Sequence, residues 1–250
     1  HNMTWRLHAQ RLLLDWVGAP VPAVATARVV PALAKLVDDK IVDETGLDVG
    51  AVHAVWALAG LGVAPEEAAF KHPSFAVRRA ALAALPREKG GTELEVATAE
   101  LRLLTAVYAA LKHPGPATEL AVALALADAP LATQPGPPDA LLASMLLASS
   151  PADRDLRVAL IAASANRGGR VLAAAGVVRE QPVPEALASL ETLARHYAAS
   201  GGDEYLGMAL KLLGDKEGRP DIAASAINGL AAGWASSSKL PTQWDKFPVE

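Results

Sequence analysis

The chain has 250 residues (25.8 kDa), 52% of them hydrophobic but only 4% aromatic. Lys and Arg number 23 against 27 Asp and Glu, a net charge of −4 with no long block of either sign, which argues against a general binder of the phosphate backbone. With no cysteine, these residues can form no disulfide framework, thiolate zinc site, cysteine nucleophile or thioether-bound haem.

Alanine supplies about a fifth of the sequence; it is the best helix former and small enough to let backbones approach closely. No run of Val, Ile, Thr and aromatic residues alternates at period two over a convincing length, so an all-α fold is expected. The first periodic segment aligns Trp5, Ala9, Leu12, Leu13 and Trp16 on one helical face, and a second aligns Val52, Val55, Trp56 and Ala59. A longer third aligns Leu94, Ala97, Leu101, Leu104, Tyr108 and Leu111 and opens on Thr92 and Glu95, a capping-box pair able to satisfy two orphan amides. The Gly-Gly pairs at 90–91, 168–169 and 201–202 are expected to punctuate loops. The longest apolar stretches, such as 120–127 and 140–148, fall short of the ~18 to 20 residues that a spanning helix needs, so no membrane span is expected. Residues 1–3 are expected to lie outside the fold, 4–235 to form a repeat domain, and 236–250 to be a tail or linker.

The prolines suggest the organisation. Pro31, Pro73, Pro114, Pro151, Pro184 and Pro220 recur at intervals near 40 residues, each before an apolar helical run. Proline suits the first turn of a helix and not its middle, so each is expected to open the same helix of successive units. Two helices per period of this length is the pattern of HEAT and armadillo repeats. The content after the prolines agrees: Val77, Arg78, Ala81, Ala84 and Leu85 follow Pro73, Leu156, Arg157, Leu160 and Ala163 follow Pro151, and a looser copy without arginine follows Pro114. The expected fold is therefore a HEAT-like solenoid of stacked antiparallel helix pairs. Arg78 and Arg157 should have buried stems and pair with a carboxylate or carbonyl of an adjacent unit, whereas Arg79, one residue out of phase, should be the more exposed.

A more specific resemblance lies in the order of several strings. His53 to Gly62 (HAVWALAGLG), Lys71-His72-Pro73-Ser74 and Val77-Arg78-Arg79-Ala80-Ala81-Leu82 resemble the HEAT-repeat module of membrane-bound dehydrogenases that carry a haem-binding C-x-x-C-H domain. Leu193 to Ala199 and Gly229 to Trp234 are similar to that module's closing segment, so the match would cover most of 4–235. The resemblance implies a sugar-dehydrogenase-like propeller before the helices, a cytochrome c domain after them, and an exported or periplasmic setting. No C-x-x-C-H and no propeller occurs here, so the activity cannot be carried over and no cofactor is expected.

Within the chain, catalytic signatures are sparse. His1, His8, His53, His72, His113 and His196 show no i, i+4 pair suited to zinc, and His72 and His113, each before a proline, are expected as turn residues. The acidic pairs 38–39, 43–44, 66–67 and 203–204 fit helix starts and turns, where carboxylates favour the helix dipole. No phosphate-loop or nucleophile-elbow motif is present. Trp5, Trp16 and Trp56 are expected to pack, while Trp244 lies beyond the last periodic segment. Two function classes follow. The first is a non-catalytic scaffold that docks protein domains, with Arg79 and Trp244 as candidate partner contacts and no nucleic-acid ligand. The alternative is a helical-repeat enzyme such as a DNA glycosylase, which would need a cationic groove and a catalytic carboxylate.

Overall fold

The computed structural model describes residues 3–17, 23–85, 92–128, 136–179, 181–202, 204–215 and 218–237. About three quarters of these residues are helical, none lies in a strand, and the fold is all-α. Trp244 and Gly90–Gly91 lie outside the described residues. The chain divides into two compact units, 1–90 with 101–125 and 91–100 with 126–250.

In the first unit, α1 (Met3–Val17), α2 (Ala23–Asp38) and α5 (Phe75–Ala83) all pack on α3 (Val49–Gly60). The short α4 (Glu67–Phe70) contacts α2 and α5. Helix α3 starts at Asp48, whose carboxylate accepts the Ala51 amide at 2.9 Å and so satisfies one of the orphan donors of the first turn. Its buried face is Ala51, Ala54, Val55, Ala57 and Leu58, and it is the small alanines that let three helices crowd around it. Trp56, expected on the packed face, is 39% exposed, because an indole does not fit between backbones held at alanine spacing. The side chains of Trp5 and Trp16 lie outside the described set.

Helix α6 (Glu93–Leu111) begins with the expected capping box: Thr92 N donates to Glu95 Oε2 at 2.6 Å and Glu95 N to Thr92 Oγ1 at 3.3 Å. Of its expected apolar face only Leu104 is buried, with Leu111 half-buried. Leu94, Ala97, Leu101 and Tyr108 are exposed, while Leu103, Leu104, Ala106, Val107 and Ala110 are buried. The helix carries apolar residues on two faces, and the one richer in small side chains is the buried one. Helix α7 (Pro116–Ala127) follows.

The second unit contains α8 (Pro137–Ala148), α9 (Arg154–Ser164), a 3-10 turn (Ala165–Arg167), α10 (Gly168–Ala175), α11 (Pro184–Ala199), α12 (Leu206–Leu213) and α13 (Pro220–Ser236). Here each helix touches the one two places along the chain: α8 meets α10 and α10 meets α12, while α9 meets α11 and α11 meets α13. Cross-contacts join α8 to α9, α10 to α11 and α12 to α13. The α11–α13 contact is especially close. A Cβ placed on Gly229 would stand 2.3 Å from the carbonyl oxygen of Glu191, and one on Gly233 would stand 2.4 Å from that of Arg195.

The prolines sort by position. Pro184 and Pro220 occupy the first residues of α11 and α13, and Pro73, Pro114 and Pro151 stand two or three residues ahead of α5, α7 and α9. Pro31 departs from the expectation and lies inside α2, where it removes one backbone donor instead of opening a helix. Gly168 and Gly169 also depart from theirs: they form the first turn of α10, not a loop. The Tyr197 ring lies against both, with its Cδ2 3.0 Å from a Cβ placed on Gly168, so the glycines serve close approach. Gly201 occupies a turn, with φ at +78°.

Candidate functional site

Two polar clusters are buried, one in each unit. The first is built on the turn before α5. His72, Ser74 and Arg78 are all buried there, and Val77 beside them is fully enclosed. Arg78 Nη1 donates to the carbonyls of His72 and Pro73 at 2.7 and 2.8 Å, and Nη2 reaches Thr118 Oγ1 on α7 at 3.3 Å. The guanidinium thus clamps the carbonyls that precede its own helix and also ties two helices. The guanidinium carbon also lies 6.0 Å from the centre of the Phe75 ring.

Arg157 repeats the clamp. Its Nη1 donates to the carbonyls of Ser150 and Pro151, the latter at 3.0 Å. The expected bridge to an adjacent unit is replaced by this local staple, because a guanidinium one or two turns into a helix lies directly below the carbonyls of the preceding X-Pro dipeptide. Arg157 is only half-buried, and Arg79 is exposed. Pro73, Pro114 and Pro151 are themselves exposed, so their effect is on the backbone and not on the core. His113 is an exposed turn residue.

Arg78→Ala should strand two carbonyls and the Thr118 hydroxyl in a buried site, at a cost of about 1 to 3 kcal/mol. Arg157→Ala, whose carbonyls water can reach, should cost less, about 1 kcal/mol at most. Urea midpoints of the two variants check the order; equal losses would contradict it.

Asp48, His72 and Ser74 stand together but are not a nucleophilic triad. The imidazole Nδ1 accepts the backbone N–H of Ser74 at 3.0 Å, and the Ser74 hydroxyl accepts the Asp48 N–H at 3.3 Å. A nucleophilic serine would instead give its hydroxyl proton to the imidazole.

The second cluster joins Glu100, Asp139, Arg167, Arg170, Glu204 and Tyr205. Arg167 Nη1 meets Asp139 Oδ1 at 3.0 Å, with both side chains buried. Asp139 Oδ2 also accepts the Gly136 amide at 2.8 Å, capping α8. Arg170 Nη2 lies 3.3 Å from the Tyr205 hydroxyl and 3.7 Å from Glu204 Oε1, and its guanidinium stacks 4.8 Å above the Tyr205 ring. Tyr205 adopts a left-handed backbone, φ 62°, and Tyr197 donates its hydroxyl to the Glu204 carbonyl, which holds the chain just before α12. Burial first, and then the neighbouring Asp139 carboxylate, raise the Glu100 pKa above its ordinary value, while Arg167 and Arg170 oppose the shift. Arg167 and Asp139 form a buried ion pair, Glu100 lies half-buried beside it, and the largely exposed Glu204 faces Arg170 at the edge.

Of the second cluster, only Glu204 was singled out from the sequence, and then as one of a pair of turn carboxylates. The local signal available was Arg167-Gly168-Gly169-Arg170, in which two arginines bracket a glycine pair, one at the cap of α10 and one in its first turn. Among the described residues, no group of three His, Asp or Glu could hold a metal ion, and no helix is long and apolar enough to cross a membrane. No family model, curated protein or solved structure matches the chain.

Proposed function

We propose that the chain is a HEAT-like helical-repeat solenoid that serves as a non-catalytic scaffold, the connecting domain of a larger dehydrogenase-like protein. The observation that carries this reading is the pattern of contacts two helices apart, with hydrogen bonds that recur at separations of 35 to 43 residues. Arg78 to Thr118 spans 40 residues, and Ser225 to Leu187 and Ser237 to Ala199 each span 38. Spans of this order in both units support a reading of stacked helix pairs, beside the shorter spans of Asp48 to Ser74 and Asp139 to Arg167. Such a stack offers many separate attachment points along its surface, which suits docking better than enclosing one small substrate. The buried arginines support the same reading, since carbonyls, Asp139 and Tyr205 engage them inside the stack.

The test is binding and turnover with the purified chain. Propeller and cytochrome c domains encoded beside it should bind saturably in calorimetry, while the chain alone should neither oxidise sugars with a dye acceptor nor excise bases from DNA. Saturable turnover by the chain alone, lost in Glu100→Gln, would replace the scaffold by an enzyme.

A further inference from the structure

His72 lies in the turn between α4 and α5 with its side chain fully enclosed. Its Nδ1 accepts the Ser74 amide at 3.0 Å. A ring nitrogen that accepts a hydrogen bond carries no hydrogen, so the neutral imidazole holds its proton on Nε2. Nε2 faces Asp48 Oδ2 at 3.6 Å and makes no hydrogen bond among the described residues. The turn is held from outside the ring as well, by Arg78 on the His72 and Pro73 carbonyls and by the Asp48 amide on the Ser74 hydroxyl.

A second proton can enter this ring only at Nδ1, where it would point at the Ser74 N–H. Two donors then meet, a buried backbone hydrogen bond is lost, and a buried cation is created near Lys40 after α2 and Arg78, opposed only by Asp48 at the head of α3. We propose that His72 is an acid-operated latch on the α4–α5 joint: the neutral ring closes the turn, and protonation releases it together with the Arg78 tie to Thr118 on α7. The first unit would then open locally in mild acid while the α11–α13 pairing holds.

The direction of the pH dependence follows from the same geometry. Burial is the largest influence and lowers the imidazole pKa from its ordinary 6.5; Asp48 raises it, and Lys40 and Arg78 lower it further. The closed turn therefore binds its proton less readily than the open one. Closure is fully favoured above about pH 6.5 and is lost as the pH falls from there towards the lowered value.

Hydrogen exchange of the full chain, corrected for intrinsic rates, tests the latch. From about pH 6.5 to about pH 5, protection of the amides in 74–82 should fall by up to about tenfold per pH unit, the limit for one proton, while protection in α13 stays level. His72→Asn should abolish the pH dependence, because the asparagine carbonyl can accept the same amide two residues on and does not titrate. The proposal is overturned if wild-type protection stays flat across that interval, or if His72→Asn loses protection with the same midpoint. Should the variant not fold, the His72 ring signal in the wild-type NMR spectrum decides: its titration midpoint must coincide with the opening of 74–82, and separate midpoints refute the latch.

Discussion

Replacing Gly229 by alanine should destabilise the second unit, although the same change on a free helix stabilises it by about 1 kcal/mol. The added Cβ would stand 2.3 Å from the Glu191 carbonyl oxygen and 2.8 Å from the Ala194 Cβ. A side-chain tip could swing away, but a backbone carbonyl inside α11 moves only with its helix. Overpacking of this kind costs about 1 to 3 kcal/mol, and here α11 and α13 must separate along their whole contact. Gly233→Ala meets the Arg195 carbonyl at 2.4 Å and the Ala198 Cβ at 2.6 Å, so it should act in the same direction, and the double variant should lose more than either. Urea midpoints provide the measurement, with exposed Asn228→Ala on the same helix as the control. A Gly229→Ala midpoint that rises with the control would show that the two helices are not in this close contact.

Arg167→Met should be the most damaging single substitution among the charged residues, at about 3 to 5 kcal/mol, because it leaves Asp139 buried and unneutralised. Asp139→Leu should cost a similar amount and also remove the cap on the Gly136 amide. The informative variant is the pair, since exchanging both partners for apolar residues of similar volume removes the stranded charge. The double variant should therefore be more stable than either single one, short of wild type by about 1 kcal/mol for the missing cap. Additive losses in a double-mutant cycle would mean that the two groups do not interact across the 3.0 Å that separates them.

Features that depend on neighbouring residues were legible in the sequence. The Thr92–Glu95 box forms as expected, and five of the six spaced prolines stand at or just before α5, α7, α9, α11 and α13. The helical faces were harder, for a physical reason. In an alanine-rich helix most faces are apolar, and burial goes to the one that permits the closest approach, which is why Leu94, Leu101 and Tyr108 face outward while Leu103 and Val107 are enclosed. Arg78 was visible as a repeat position, yet its partners were not, because the carbonyls it clamps have no side-chain signature. The Glu100, Asp139, Arg167 and Arg170 cluster lay furthest out of reach. Its members come from α6, α8, the 3-10 turn and α10, and only the packing of those helices brings them together.

The recurring span between bonded residues also bears on how the chain reaches its fold. Bonds such as Arg78 to Thr118 and Ser225 to Leu187 close loops of about 40 residues, and those of Arg167 to Asp139 and Asp48 to Ser74 close loops of 28 and 26, so their entropic costs differ little, since the cost grows only as the logarithm of loop length. In the second unit every described helix meets partners no more than three helices away along the chain. Contacts this local in sequence belong to fast-folding topologies, and they let ordered structure spread outward from whichever neighbouring helices meet first.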